Sequence, residues 1–292
     1  MILRLQTSTR FDLAKTARSH GWVYLAPFRW ERGTLSWIQR GHLRRSYRVS
    51  VEQIASTALR VLPRANPSLT ADERRALLAA VSRVLNVDLD LSEFRALARR
   101  LDPRVARFVS AGGGRLLRGA SLFEDLVKTL CTTNAAWSHT ENQITRLVST
   151  YGQPGPDGRA FPSPHDLRDA SEQDLRTQAR MGYRAVFLAA LVRKSLDWID
   201  RPDWNDARWL AEGLPGFGPY ARAHMDVLLN RFSEVPWDSE VRAYAQEQLG
   251  IPVANEVRAK MLLAKRLAPW GDWKFLAFKC QRKLRTAGER MK

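Results

Sequence analysis

The pattern of apolar and polar positions changes character near residue 69. Before that point, short runs rich in Trp, Tyr, Phe, Val and Thr predict strands of a small antiparallel sheet within residues 9 to about 52. They are Gly21-Trp-Val-Tyr-Leu25, Thr34-Leu-Ser-Trp-Ile38 and the partly alternating Ser46-Tyr-Arg-Val-Ser-Val51. A helix is predicted to begin near Asp12. Beyond residue 69 the aliphatics recur at helical spacing: the segment from Ser68 offers a capping residue, places Asp72 and Glu73 in the first turn, and then spaces Leu77, Leu78 and Val81 along one face. Glycine and proline clusters at 111–119, 152–158, 201–203 and 214–219 predict loops between later helices. No solenoid-length repeat is present. The pattern predicts a mostly α chain with an N-terminal α+β part. Residues 1–110 are expected to hold the antiparallel sheet, and residues 111–292 a helical body.

Composition narrows the class. A chain of 292 residues, 45% of them hydrophobic and ten of them Trp, has enough apolar surface to close a core, which argues against disorder. No apolar run is long enough to span a bilayer. The N-terminal stretch lacks the pattern of a secretory signal, so a cytoplasmic, nucleoid-associated protein is expected. Two cysteines, Cys131 and Cys280, are too few to hold a structural zinc or an iron–sulfur cluster by themselves, and they read as reduced thiols, with a single disulfide left open.

Charge adds a partner. Lys and Arg number 47 against 30 Asp and Glu, a formal net charge of +17. The excess is mostly Arg, whose planar fork suits phosphate, and a polyanion is the usual partner of such a surface. An Arg-, Ala- and Leu-inflating genome composition would produce the same bias.

One segment carries candidate chemistry. In Leu214-Pro-Gly-Phe-Gly-Pro219, two glycines allow a tight turn and close approach of another surface, and Pro219 fits the first position of a new helix. The amides of such a helix start favour an anion. Downstream, Val235-Pro-Trp-Asp-Ser-Glu-Val241 sets Asp238 in apolar surroundings at the start of another helix. Taken alone, Asp238 reads as an N-cap for the helix beginning at Ser239.

The pair of segments resembles the helix-hairpin-helix DNA glycosylases of base-excision repair, whose signature joins an L-P-G-hydrophobic-G hairpin to a Pro-x-Asp loop. Three further stretches are similar to the 8-oxoguanine and alkyladenine branches: Leu122–Asn134, Met181-Gly-Tyr-Arg-Ala185 and Pro269–Phe275. The resemblance implies duplex DNA with a damaged base as partner, a monomeric enzyme and a catalytic aspartate at Asp238. Gly216 and Gly218 would meet the DNA strand, Asn134 would fill the hole left by an extruded nucleotide, Tyr183 would wedge the stack, and Arg184 would contact the orphaned base. Tyr220, Glu240, Trp137, Phe275 and Lys279 fall at base-pocket positions. A monovalent cation, K or Na, would be held by the backbone carbonyls of Glu212, Leu214 and Phe217.

Departures from the pattern sharpen these expectations. Tyr220 stands where bifunctional members place a Schiff-base lysine, so a monofunctional hydrolase acting on an alkylated or oxidised purine is expected, with no required cofactor and no iron–sulfur cluster. Glu240 stands where His is usual, and Arg222 where a small residue is usual. Two rivals remain: a non-catalytic module that binds duplex or damaged DNA, and a lyase using Lys260 or Lys279. As ordinary residues, Asn134 is a helix C-cap, Tyr183 and Arg184 are surface groups, and Trp137, Trp273 and Phe275 are core. The histidines (His20, His42, His139, His165 and His224) show no metal spacing and receive no role.

Overall fold

The computed structural model describes residues 1–41, 45–65, 68–198 and 213–289. Five strands, β1 (Leu3–Gln6), β2 (Arg29–Glu31), β3 (Thr34–Arg40), β4 (Ser46–Ala55) and β5 (Ala58–Arg64), form an antiparallel sheet in the order β1-β5-β4-β3-β2. Trp37 pairs with Val49 and Val51 with Val61, so the period-two pattern turns Trp37, Tyr47, Val49, Val51, Leu59 and Val61 to the buried face. The sheet is wider than the expected 9–52, because β1 and β5 lie outside that range. Helix α1 (Leu13–Ala17) is capped by Asp12, whose carboxylate accepts from the Lys15 amide.

The run from Gly21 differs from its expectation. Gly21–Tyr24 forms a 3-10 turn rather than a strand, with Trp22 and Val23 buried and Tyr24 68% exposed. The Trp22 indole donates to Asp125 at 2.9 Å, a polar anchor that a strand placement would not supply.

The helices that follow are α2 (Ala71–Leu85), α3 (Ser92–Leu101), α4 (Pro103–Ser110), α5 (Leu122–Thr132), α6 (Trp137–Tyr151), α7 (Pro164–Leu167), α8 (Glu172–Thr177) and α9 (Arg184–Trp198). After residue 212 come α10 (Pro219–Leu228), α11 (Ser239–Leu249), α12 (Glu256–Leu267) and α13 (Lys274–Glu289). Thr70, not Ser68, caps α2, with Glu73 returning the bond in a capping box. The expected loop at 152–158 contains a minimal hairpin, Pro154–Gly155 against Gly158–Arg159. The expected break at 201–203, and the helical segment leading into Leu214, lie outside the described residues.

The apolar core does not divide at residue 110. One cluster unites the sheet with α2, α5, α6, α9 and α10, through residues such as Trp37, Val51, Leu126, Ile144, Leu188 and Met225. A second unites α3 and α4 with α11, α12 and α13, through Phe94, Val105, Tyr244, Leu263 and Phe278. The segment 92–110 therefore packs against the C-terminal helices rather than with the sheet that precedes it. Helix α5 runs through the centre, buried on every side from Leu122 to Cys131, and packs on α6, α9 and α10. The end of α5 and the starts of α9, α10 and α11 thereby converge on one cavity.

Candidate active site

The turn Leu214–Gly218 leads directly into α10, with Pro219 at its first position. Gly216 has φ of +85°, and a Cβ there would lie 2.7 Å from Phe187 and 2.9 Å from Leu130. Gly218 has φ of −71°, and a Cβ there would meet nothing within 4 Å. The amides opening α10 are thus presented without side-chain cover. Asp238 precedes α11, and its Oδ1 accepts from the Val241 amide at 2.8 Å, so the residue is an N-cap. It also lines a cavity of about 970 Å³ together with Gly216, Gly218 and Tyr220. Burial raises the Asp238 carboxyl above its ordinary range; the Val241 amide bond opposes that shift, the Glu240 carboxylate adds to it, and Lys279 opposes it. The cap reading of Asp238 is met in this geometry, and the same residue lines the cavity.

The cavity is lined with rings from distant parts of the chain. His20 and Trp22 come from the N-terminal 3-10 turn, Tyr220 and His224 from α10, and Phe275 and Phe278 from α13. Tyr220 stacks on His224 with centroids 5.9 Å apart, His224 lies 5.2 Å from Trp22, and Trp22 lies 4.9 Å from His20. Both imidazoles are packed round by protein and keep a partly exposed edge. Burial, then the charge of Lys279, holds His224 down to about 4 and His20 well below its usual value, so both rings are neutral near pH 7. The His20 Nε2–H donates to the Leu117 carbonyl at 2.6 Å. Burial and the Asp238 charge raise the Tyr220 hydroxyl.

Lys279 and Glu240, both expected near the base pocket, form an ion pair of 2.6 Å in the same wall. Phe275 is 7% exposed and stacks on Phe232, so it serves core and cavity together. Trp137 is 40% exposed at the cavity edge, its indole donates to Glu141 at 2.6 Å, and its ring packs over Gly21. Trp273 packs between Phe94 and Phe232 and belongs to the core.

Asn134 and Tyr183 stand at the mouth. Thr133, not Asn134, is the C-cap of α5; Asn134 follows it, exposed and left-handed with φ of +46°. Tyr183 is 51% exposed on a turn made possible by Gly182 at φ of +56°. Arg184 behaves differently from its expectation. It is 6% exposed, donates to the Thr133 carbonyl, and its guanidinium lies 4.5 Å from the centre of the Tyr183 ring. In this arrangement it ties the Tyr183 turn to the Asn134 turn, and contact with an orphaned base would require it to leave that bond.

The expected cation site fits poorly. The Phe217 carbonyl accepts from Arg222 Nε at 2.9 Å, and the Leu214 carbonyl accepts from the Phe217 amide at 3.2 Å. A guanidinium already lies on one of the oxygens assigned to the ion, which also accounts for a long basic residue at position 222. The third carbonyl, of Glu212, lies outside the described residues. Cys131 and Cys280 are buried free thiols, each pushed up to about 12 by burial.

His20, Trp22 and His224 were missed by sequence reasoning. His224 had a signal, because it lies one turn after Tyr220 and therefore on the same helical face. His20 and Trp22 had none, since only the packing of the 3-10 turn against α5 and α10 brings them to the cavity.

No family model matches the chain. It is 28% identical over 216 residues to the "Probable bifunctional transcriptional activator/DNA repair enzyme AlkA" of Mycobacterium tuberculosis, an alignment covering 70% of this chain and 43% of that relative. The chain therefore spans less than half the length of the curated relative it matches. Among solved structures, a 3-methyladenine DNA glycosylase from Archaeoglobus fulgidus superposes with a TM-score of 0.73 at 13% identity, covering 95% of this chain and 97% of that one. The Clostridium acetobutylicum 8-oxoguanine glycosylase/lyase, in complex with double-stranded DNA, gives 0.69 at 17% identity, with 98% of each chain covered. A small antiparallel sheet, a helical body and near-complete superposition agree: the chain has the fold of these DNA glycosylases.

Proposed function

We propose that the chain is a monofunctional DNA glycosylase that binds duplex DNA, takes a damaged purine into the aromatic cavity, and hydrolyses its N-glycosidic bond with Asp238. The observation that carries this reading is the position of Asp238, a carboxylate fixed by its cap bond in the wall of a cavity about 970 Å³ in volume, beside the exposed amides of the glycine turn. Breaking the bond builds positive charge on the sugar, and a fixed carboxylate stabilises that charge and orients the attacking water. A base in a duplex is out of reach until extruded, at a cost of a few kcal/mol. Tyr183 and Asn134 offset part of that cost by filling the vacated stack, a reading supported by their exposure at the cavity edge.

The monofunctional assignment rests on the available amines. Tyr220 occupies the hairpin position at which an imine-forming lysine would stand. Lys279 is paired with Glu240 at 2.6 Å, and Lys260, in the neighbouring groove, is paired with Glu256 at 2.6 Å. An ammonium held by a carboxylate lacks the lone pair that attacks a sugar carbon.

A panel of duplexes, each with one modified base, followed by hot-alkali cleavage, tests the reading. The wild-type chain is expected to leave alkali-labile abasic sites and no borohydride-trapped adduct. Asp238→Asn is expected to lose base release by at least 100-fold, within the range for a general acid–base group, while duplex affinity stays within a few-fold. Unchanged behaviour in Asp238→Asn would establish the DNA-binding module instead, and a trapped adduct would establish the lyase.

A further inference from the structure

Lys279 has no part in the chemistry assigned to Asp238, yet its side chain is 9% exposed and it is the one Lys or Arg in the wall of the cavity among the described residues. Its partner Glu240 is at the wet edge, with 40% of its side chain exposed. An ammonium carries three N–H donors, and the single hydrogen bond found for Lys279 within the described residues goes to Glu240. The cation is thus held by a partner at the wet edge, with two of its donors not used by that bond.

We propose that Lys279 meets the departing base. Its ammonium hydrogen-bonds an acceptor atom of an uncharged extruded purine and protonates that base as the glycosidic bond breaks. The site therefore selects uncharged oxidised or deaminated purines over cationic alkylated ones. This rests on the glycosylase reading above and deepens it by naming the substrate class.

The other candidate acids in the cavity are weak. His20 and His224 are neutral near pH 7 and have no spare proton of an imidazolium to give. The Tyr220 hydroxyl is raised by burial and by Asp238, which makes it a poorer acid than ordinary tyrosine. The proton is needed because of where the electrons go. Water adds its oxygen to C1′ and loses a proton by way of Asp238 to solvent. The C1′–N bonding pair stays on the purine, which takes its proton from Lys279. Solvent restores that proton at the exposed Glu240 edge. A purine already cationic through alkylation leaves as a neutral molecule, needs no such proton, and gains nothing from an ammonium beside it.

Single-turnover base release is measured on one duplex carrying hypoxanthine, one carrying 8-oxoguanine and one carrying 7-methylguanine, for wild type, Lys279→Met and Lys279→Arg. Wild type is expected to release at least one of the two uncharged bases faster than 7-methylguanine. Lys279→Met should slow that release by about 100-fold, while its release of 7-methylguanine is unchanged or faster. Lys279→Arg retains the donor and should recover part of the loss, which guards against a folding defect in the Met variant. Equal loss on all three bases, or full activity of Lys279→Met on the uncharged bases, overturns the proposal. So does a wild type that releases 7-methylguanine alone, although the glycosylase reading survives that result. Release of no base from any duplex overturns both.

Discussion

Gly216 and Gly218 stand two residues apart in one turn, yet the backbone makes different demands at each. Gly216 sits at φ of +85° against Phe187 and Leu130, so a Cβ there is strained and crowded. Gly216→Ala is expected to destabilise the chain by about 1–3 kcal/mol, read from denaturant unfolding. At Gly218 the backbone is ordinary and the space in front is open. Gly218→Ala is expected to unfold like wild type but to bind duplex DNA several-fold more weakly, because the added methyl stands where a strand would approach the α10 amides. Wild-type affinity in a folded Gly218→Ala would remove the hairpin from the DNA interface. The sequence marked both positions as glycine and could not separate a steric requirement from an open approach. Asp238 was legible in the same partial way: as residue type, spacing and helix cap, but without the cavity that the residue lines.

At the scale of elements, α5 shows what burial on every side requires. Within one helix Glu124 and Lys128 pair at 2.5 Å with side chains 1% and 0% exposed, and the Lys128 ammonium lies 4.5 Å from the Phe28 ring centre. Asp125, also buried, gathers Trp22, Arg83 and the Gly119 amide. Charges taken this far from water are tolerable only when paired. Lys128→Met leaves Glu124 without its cation, with the Ala120 amide still donating to it, and is expected to cost about 3–5 kcal/mol in denaturant unfolding, much of it recovered in Lys128→Met/Glu124→Gln. Equal losses in single and double variants would show that Lys128 acts through packing alone. The sequence offered this helix through its resemblance to the glycosylases, but an i,i+4 Glu–Lys pair ordinarily reads as a solvated surface pair. The 21–25 run shows the opposite limit, because aromatic density alone fits a strand as readily as a 3-10 turn anchored by the bond from Trp22 to Asp125.

For the whole molecule, the neutral imidazoles tie the cavity to global stability. His224 binds its proton near 4 in the folded state and near 6.5 when unfolded. Between those values the unfolded chain holds more protons, so stability falls as pH drops through the window, by at most roughly 3 kcal/mol for His224. His20 acts in the same direction. Asp238 and Glu124, whose carboxyls are raised by burial, act oppositely, so the diagnostic quantity is a difference between variants. Unfolding free energy measured from pH 7 to pH 4.5 is expected to fall less steeply in His224→Gln than in wild type. Parallel curves would show that His224 is protonated in the fold as readily as outside it.

Local chemistry by itself determined the strands at 34–40 and 46–55, the capped helices and the glycine turn, because periodicity, capping and backbone freedom act over a few residues and leave their marks in order. Which residues wall the cavity was decided by tertiary structure. His20, Trp22, His224 and the Lys279–Glu240 pair are joined by contacts between the 3-10 turn, α10, α11 and α13, and no local spacing records a contact made across so much chain. The same holds for the core, where residues 92–110 join the C-terminal helices because apolar faces pack against whichever complementary face the fold brings to them, without regard to order along the sequence.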